Sequence, residues 1–109
     1  MADIRQCTSL DEVRTEIDAL DRNIVALIAA RAEYVKQAAT LKKNTDDVKA
    51  PQRVEQVITK VKQLAVDTGV DQNVLEATYR AMINAFIAEE TVHFNKRVES
   101  KKNSTKTDA

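Results

Sequence analysis

Hydrophobic residues recur at helical spacing along the first third of the chain. They stand three, four or seven positions apart, at Leu10, Val13, Ile17, Leu20, Ile24, Leu27, Tyr34, Ala38 and Leu41. This spacing predicts a single helix from about Ser9 to Leu41 that is buried along one face. Such a helix is roughly 50 Å long, whereas a compact globule of this chain length has a radius of gyration of about 13 Å. The apolar stripe therefore needs cover from a second copy of the chain, which predicts an intertwined homodimer.

Two further helices follow. Pro51 suits the first turn of a helix, Gly69 suits its left-handed end, and Asp71 can cap the next helix. The predicted buried face of the second helix consists of Val54, Val57, Ile58, Val61, Leu64 and Ala65. That of the third consists of Val74, Leu75, Tyr79, Met82, Ile83, Phe86, Ile87, Glu90 and Phe94. The predicted fold class is all-α, with three helices per chain.

Two segments lack any periodicity. Lys43–Lys49 is polar and is predicted to form a loop between the first two helices. From Glu99 onward the chain is polar again, and we predict a disordered tail there. The expected organisation is one helical domain over residues 1–98 and a tail over residues 99–109.

Charge and cysteine content narrow the function. Among 109 residues, 17 basic side chains balance 17 acidic ones, which argues against binding to nucleic acid. The N-terminus lacks an apolar signal region, and no apolar run is long enough to span a membrane. Cys7 is the sole cysteine and cannot form an intramolecular disulfide, so we expect a cytoplasmic location.

Cations stand close to the first apolar stripe. Arg14 and Arg31 lie beside or on it, Lys42 follows its end, and Arg53 opens the second helix. Arg14 and Arg31 are roughly 25 Å apart along one rigid helix, so one small ligand cannot contact both from the same subunit. In an antiparallel dimer, Arg14 of one subunit can approach Arg31 of the other, and guanidinium groups bind carboxylates bidentately. Alternatively, these cations extend to solvent or pair with acidic neighbours at Asp18, Asp21 and Glu33.

Glu90 is an acidic residue within the apolar face of the third helix. Burial there favours the protonated carboxyl group, which can donate a hydrogen bond to a ligand oxygen, unless an arginine offsets the charge. Alternatively, Glu90 lies at the edge of the face and reaches solvent or a lysine. Glu90 and His93 also match the Glu-x-x-His spacing of di-iron bundles, but the chain has one histidine and such a site needs two of these motifs. We therefore expect no metal.

Three segments carry a family resemblance over about residues 7–97. They are CTSLDEVRTEIDALDRNIVALIAARAEYVKQAATLK, VKAPQRVEQVI and FIAEETVHF. Together they resemble the all-helical, AroQ-type chorismate mutase family, and most closely its isochorismate pyruvate-lyase branch, which serves salicylate and siderophore synthesis. The resemblance implies two intertwined subunits that form two equivalent sites and a pericyclic reaction without a cofactor.

The resemblance also implies roles for individual residues. Arg14 from the partner subunit and Arg31 from the same subunit would each bind a substrate carboxylate. Lys42 and Glu90 would contact the ether oxygen whose C–O bond breaks, and Arg53 would lie near the polar groups of the ring. The apolar walls would be Val35, Ala38, Val57 and Ile87.

Two departures bear on the substrate. Mutases of this family commonly carry acidic residues at the positions of Ala50 and Val54, where they hold the ring hydroxyl group of chorismate. Both residues are apolar here, as in the lyase, which favours cleavage of isochorismate to salicylate and pyruvate with chorismate mutase activity in addition. Glu90, by contrast, replaces the Gln of the lyase and is found in some mutases. A dedicated chorismate mutase is the alternative, and a non-enzymatic helical dimerisation module is the alternative of another class.

Overall fold

Three helices make up the fold. The computed structural model describes residues 3–41 and 50–107, and within them the helices are α1 (Leu10–Leu41), α2 (Pro51–Thr68) and α3 (Gln72–Thr107). The predicted all-α class is therefore confirmed. The predicted loop Lys43–Lys49 lies outside the described residues.

The first helix begins at a reciprocal cap. The backbone N–H of Glu12 donates to the Ser9 hydroxyl at 3.1 Å, and the Glu12 carboxylate accepts the backbone N–H of Thr8 at 2.8 Å. These bonds satisfy N–H groups that a helix start leaves without partners. Arg5 adds ion pairs to Glu12 and Glu16, both at 3.3 Å, so the preceding segment lies along the first turns of α1.

A tight connection joins α2 and α3. Gly69 ends α2 with φ at 83°, and its N–H donates to the Ala65 carbonyl at 2.9 Å. Asp71 then caps α3, because its Oδ1 accepts the N–H groups of Asn73 at 2.7 Å and Val74 at 3.3 Å. The predicted capping roles of Gly69 and Asp71 are confirmed.

The core within one chain is small and lies between α2 and α3, which pack against each other. Among the described residues, the buried apolar side chains are Ile58, Val61, Ala65 and Ile83. Each buried large aliphatic side chain contributes about 1.5–3 kcal/mol relative to an exposed one. This core therefore holds the α2–α3 pair together and leaves α1 without a comparable contribution.

Two residues of the predicted buried faces of α2 and α3 are exposed. Leu64 is 54% exposed because it lies about 100° around α2 from Ala65, at the edge of the packed face. Val74 is 57% exposed because it lies about half a turn around α3 from the buried Ile83. For these two side chains the prediction of burial is wrong.

The third helix continues to Thr107, where the sequence predicted a disordered tail from Glu99. Neither Gly nor Pro occurs between Gln72 and Thr107, so the chain offers no residue that ends a helix there. The polar composition of this segment does not by itself prevent the backbone from forming a helix. The domain division at residue 98 stays a prediction.

Candidate functional site

The described residues form two compact units that divide within α1, one up to Tyr34 and the other from Val35. Arg14 and Arg31 belong to the first unit, where Arg14 is exposed and Arg31 is half-buried. They are 17 positions apart on one continuous helix, about 25 Å at 1.5 Å per residue. A single chain therefore does not bring these two guanidinium groups to one small ligand.

The apolar positions predicted on α1 form a surface that is exposed among the described residues. No residue of α1 is buried, and the large side chains that face one side are 39–79% exposed. We call this set the α1 stripe: Leu10, Val13, Ile17, Leu20, Ile24, Leu27, Tyr34 and Leu41. A contiguous apolar surface of this length is typical of a protein–protein interface.

The second unit holds the other described residues of the predicted site. Val35, Val57 and Ile87 are half-buried, whereas Ala38 and Arg53 are exposed. Lys42 lies outside the described residues, so its predicted contact with the ether oxygen stays a prediction.

Glu90 is buried, with 9% of its surface exposed. It lies on the face of α3 that also carries the buried Ile83 and the half-buried Phe86 and Ile87. This burial agrees with the first of the two interpretations of Glu90, a carboxyl group within the apolar face. Glu90 already makes an interaction within the chain. A ligand would have to displace that interaction or bind beside it.

His93 lies one turn further along α3 and is exposed, with its Nε2 at 3.6 Å from Glu89 Oε1. No group of three or more His, Cys, Asp or Glu side chains suited to hold a metal ion occurs in the described part of the chain. No described helix is long and apolar enough to cross a membrane.

The start of α2 carries Ala50 and Val54, the two residues on which the prediction of the substrate depends. Ala50 immediately precedes α2 with φ at 35°, a left-handed conformation that costs a residue with a Cβ roughly 1–2 kcal/mol. No side chain caps the helix there, and Pro51 occupies its first turn. Ala50 and Val54 are half-buried, and Arg53 in the same turn is exposed.

An ionic network joins α2 to α3, and the sequence analysis missed it. Arg80 donates from Nη1 and Nη2 to the two carboxylate oxygens of Glu55, at 2.9 and 3.1 Å, and from Nε to Glu76 at 2.8 Å. Glu76 also pairs with Lys62 at 3.5 Å. The i, i+4 spacing of Glu76 and Arg80 was a signal in the sequence, but nothing marked Glu55, which lies 25 positions from Arg80.

These hydrogen bonds also stabilise the charged forms. The hydrogen bond from Arg80 is the largest cause that lowers the pKa of Glu55, and the same group lowers the pKa of Glu76 with help from Lys62. In turn, the hydrogen bonds to Glu55 and Glu76 raise the pKa of Arg80. The network is therefore fully ionised at neutral pH.

An open depression along α2 is lined by Pro51, Gln52, Glu55, Gln56, Thr59 and Lys60. None of the predicted substrate-binding residues lines it. Its position on the outer side of α2 does not correspond to the site expected from the sequence.

Two comparisons with known proteins indicate the family of this chain. The sequence pattern of the family described as chorismate mutase type II matches residues 13–91, a range that contains every residue of the predicted site. The isochorismate pyruvate lyase of Pseudomonas aeruginosa is 32% identical over 84 residues, which cover 77% of this chain and 83% of that protein. With its three helices and long first helix, this chain belongs to the chorismate mutase type II family and is an enzyme of that all-α family.

Proposed function

We propose that this protein cleaves isochorismate to salicylate and pyruvate and also rearranges chorismate to prephenate, as an intertwined homodimer. The observation that carries the choice of substrate is the start of α2, where the apolar residues Ala50 and Val54 stand on either side of Pro51, Gln52 and Arg53. Neither side chain can hydrogen-bond the ring hydroxyl group of chorismate. The similarity to a named isochorismate pyruvate lyase supports the same choice.

The proposed dimer rests on two independent arguments. The α1 stripe is uncovered in one chain, and a second α1 is the partner of matching length and chemistry. The roughly 25 Å between Arg14 and Arg31 also requires that the two arginines of one site come from different subunits. In a symmetric dimer this arrangement occurs twice, so each subunit lends Arg14 to its partner and keeps Arg31 for its own site.

In each proposed site, the two arginines bind the two carboxylates of the substrate. Bidentate pairing fixes the planes of both carboxylates and so holds the enolpyruvyl side chain folded over the ring. Val35, Ala38, Val57 and Ile87 are proposed to pack against the substrate and exclude water. Arg53 is proposed to bind near the polar groups of the ring.

The proposed chemistry needs no nucleophile or cofactor. The ether C–O bond breaks while one hydrogen of the ring moves to the methylene carbon of the enolpyruvyl group, so the products are pyruvate and an aromatic ring. Negative charge develops on the ether oxygen. Lys42 is proposed to donate a hydrogen bond to it, and Glu90 is proposed to contact it from the other side. Donors placed at a developing charge in a dry site lower the barrier without reorganising as the bond breaks.

The proposal keeps the predicted cytoplasmic location, where a thiol such as that of Cys7 stays reduced. A dedicated chorismate mutase is the second candidate function, and the buried Glu90 favours it, since some mutases carry Glu at this position.

A paired assay tests the proposal. Purified protein is incubated with isochorismate and, separately, with chorismate, and salicylate, pyruvate and prephenate are quantified. Equal amounts of salicylate and pyruvate from isochorismate would support the lyase. Prephenate as the only product would show a dedicated chorismate mutase. If neither substrate is turned over, the remaining alternative is a non-enzymatic helical dimerisation module.

Arg31→Ala connects the turnover to the proposed site. We expect kcat/KM to fall by at least about 100-fold, because a bidentate contact to the substrate is lost. Arg22→Ala is the matched control, since Arg22 lies on the opposite side of the same helix and is exposed. An equal effect of both substitutions would contradict the assignment of Arg31.

A further inference from the structure

We propose that Arg80 is a positioning residue that fixes the first turn of α2, and with it Arg53, for substrate binding. This inference rests on the proposed function. Arg80 does not belong to the residues expected to touch the substrate, and its effect would be exerted through Glu55, two positions after Arg53 on α2.

The start of α2 is weakly fixed by its own local structure. Ala50 holds a left-handed backbone conformation, and no side chain caps the helix. Helix starts without such a cap leave N–H groups without a protein partner and fray easily. The turn that carries Arg53 therefore depends on contacts made elsewhere.

Core packing supplies few such contacts at this end of the helix. Burial on α2 begins at Ile58, whereas Val54 and Val57 are only half-buried. Among the described residues, the Arg80–Glu55 pair is the ion pair that joins α3 to the first two turns of α2. Lys62–Glu76, the other pair between these helices, lies closer to the Gly69 turn.

The geometry of the Arg80–Glu55 pair is suited to holding the first turn of α2 in place. Two parallel hydrogen bonds, of 2.9 and 3.1 Å, fix the plane of the Glu55 carboxylate as well as its distance from α3. Arg80 is itself held by Glu76 at 2.8 Å, so the guanidinium group is fixed from its own helix. A lysine would keep the charge but lose the bidentate contact.

The Arg80–Glu55 pair is expected to affect catalysis more strongly than the stability of the fold. Side chains of this network are 28–64% exposed, and exposed ion pairs contribute little to global stability. A small displacement of a substrate-binding group, in contrast, can reduce kcat/KM by up to about 100-fold. The inference therefore predicts a large effect on kinetics with a small effect on unfolding.

The test compares Arg80→Lys and Glu55→Gln with Lys62→Met, the matched control at the other end of the network. We expect both test substitutions to reduce kcat/KM on isochorismate by about 10-fold or more, mainly through KM, because Arg53 is proposed to bind the substrate rather than the breaking bond. The double variant should lose no more than either single variant, since both disrupt one contact. Lys62→Met should stay within about twofold of the wild type, and all melting temperatures should remain close to that of the wild type.

Hydrogen exchange of the backbone amides in residues 54–57 provides a readout that does not depend on turnover. Exchange in this segment should accelerate in Arg80→Lys and Glu55→Gln but not in Lys62→Met. Wild-type kinetics and exchange in the two test variants would overturn the inference while leaving the proposed function intact. A wild-type protein without turnover would overturn the proposed function itself, and with it the catalytic part of this inference.

Discussion

Mixing two inactive variants tests the shared site directly. Arg14→Ala and Arg31→Ala each remove one guanidinium group from every site of a homodimer, so each variant alone should be nearly inactive. In a heterodimer of the two, one site receives Arg31 from the first subunit and Arg14 from the second and is complete. The other site lacks both arginines.

The expected recovery follows from counting sites. Random mixing of equal amounts gives heterodimers as about half of all dimers, and each has one complete site out of two, so activity should return to about a quarter of the wild-type value. The separation of about 25 Å on one helix is what excludes the alternative, in which both arginines of a site come from the same subunit. In that alternative every site of a heterodimer lacks one arginine, and no activity returns.

The assay needs subunits that exchange fully. The two variants are unfolded together in denaturant, refolded at equal concentration and assayed with isochorismate, and wild-type protein treated in the same way gives the reference activity. Differently tagged subunits confirm by sequential affinity purification that heterodimers have formed. Activity below about one hundredth of the reference in purified heterodimers would refute the reasoning that the dimer shares its arginines.

Three further outcomes follow from individual residues. Ile24→Asp should raise the dimer dissociation constant at least about 100-fold in sedimentation experiments, because it places an unpaired carboxylate in the covered α1 stripe, whereas Val25→Asp should have little effect. The two side chains are 50% and 64% exposed in one chain, so equal effects would argue against a covered stripe. Glu90→Gln should retain turnover of isochorismate in the paired assay, because a carboxamide can donate a hydrogen bond to the ether oxygen, and a loss of turnover in this variant would contradict this role. Asp71→Ala should lower the free energy of unfolding by about 1 kcal/mol in urea titrations, since it removes the cap of α3, and an unchanged midpoint would contradict the capping role.

The turn between α2 and α3 could be predicted from the sequence because it depends on neighbouring residues. Gly69 and Asp71 act on backbone groups within five positions of themselves, and their hydrogen bonds are those expected from their spacing. The long first helix and its apolar stripe follow in the same way from a period of 3.6 residues. These features need no knowledge of which helix packs against which.

The burial of individual side chains depends on how α2 and α3 pack, and the sequence pattern did not predict it fully. Leu64 and Val74 were expected to be buried because they are apolar and close to the right spacing, but both are exposed because they lie away from the centre of the packed faces of α2 and α3. The buried state of Glu90 was one of two alternatives, and the packing of the second unit decided between them.

The sequence by itself determined the all-α class, the turn between α2 and α3 and which charged side chains stand near the apolar faces, because each depends on local spacing or on residue type. Only the tertiary structure decided that Arg80 holds Glu55, since a contact between residues 25 positions apart exists only once α2 has folded back on α3. It also decided that the stripe on α1 is exposed within the described part of the chain, because exposure is a property of the packed molecule and not of the pattern.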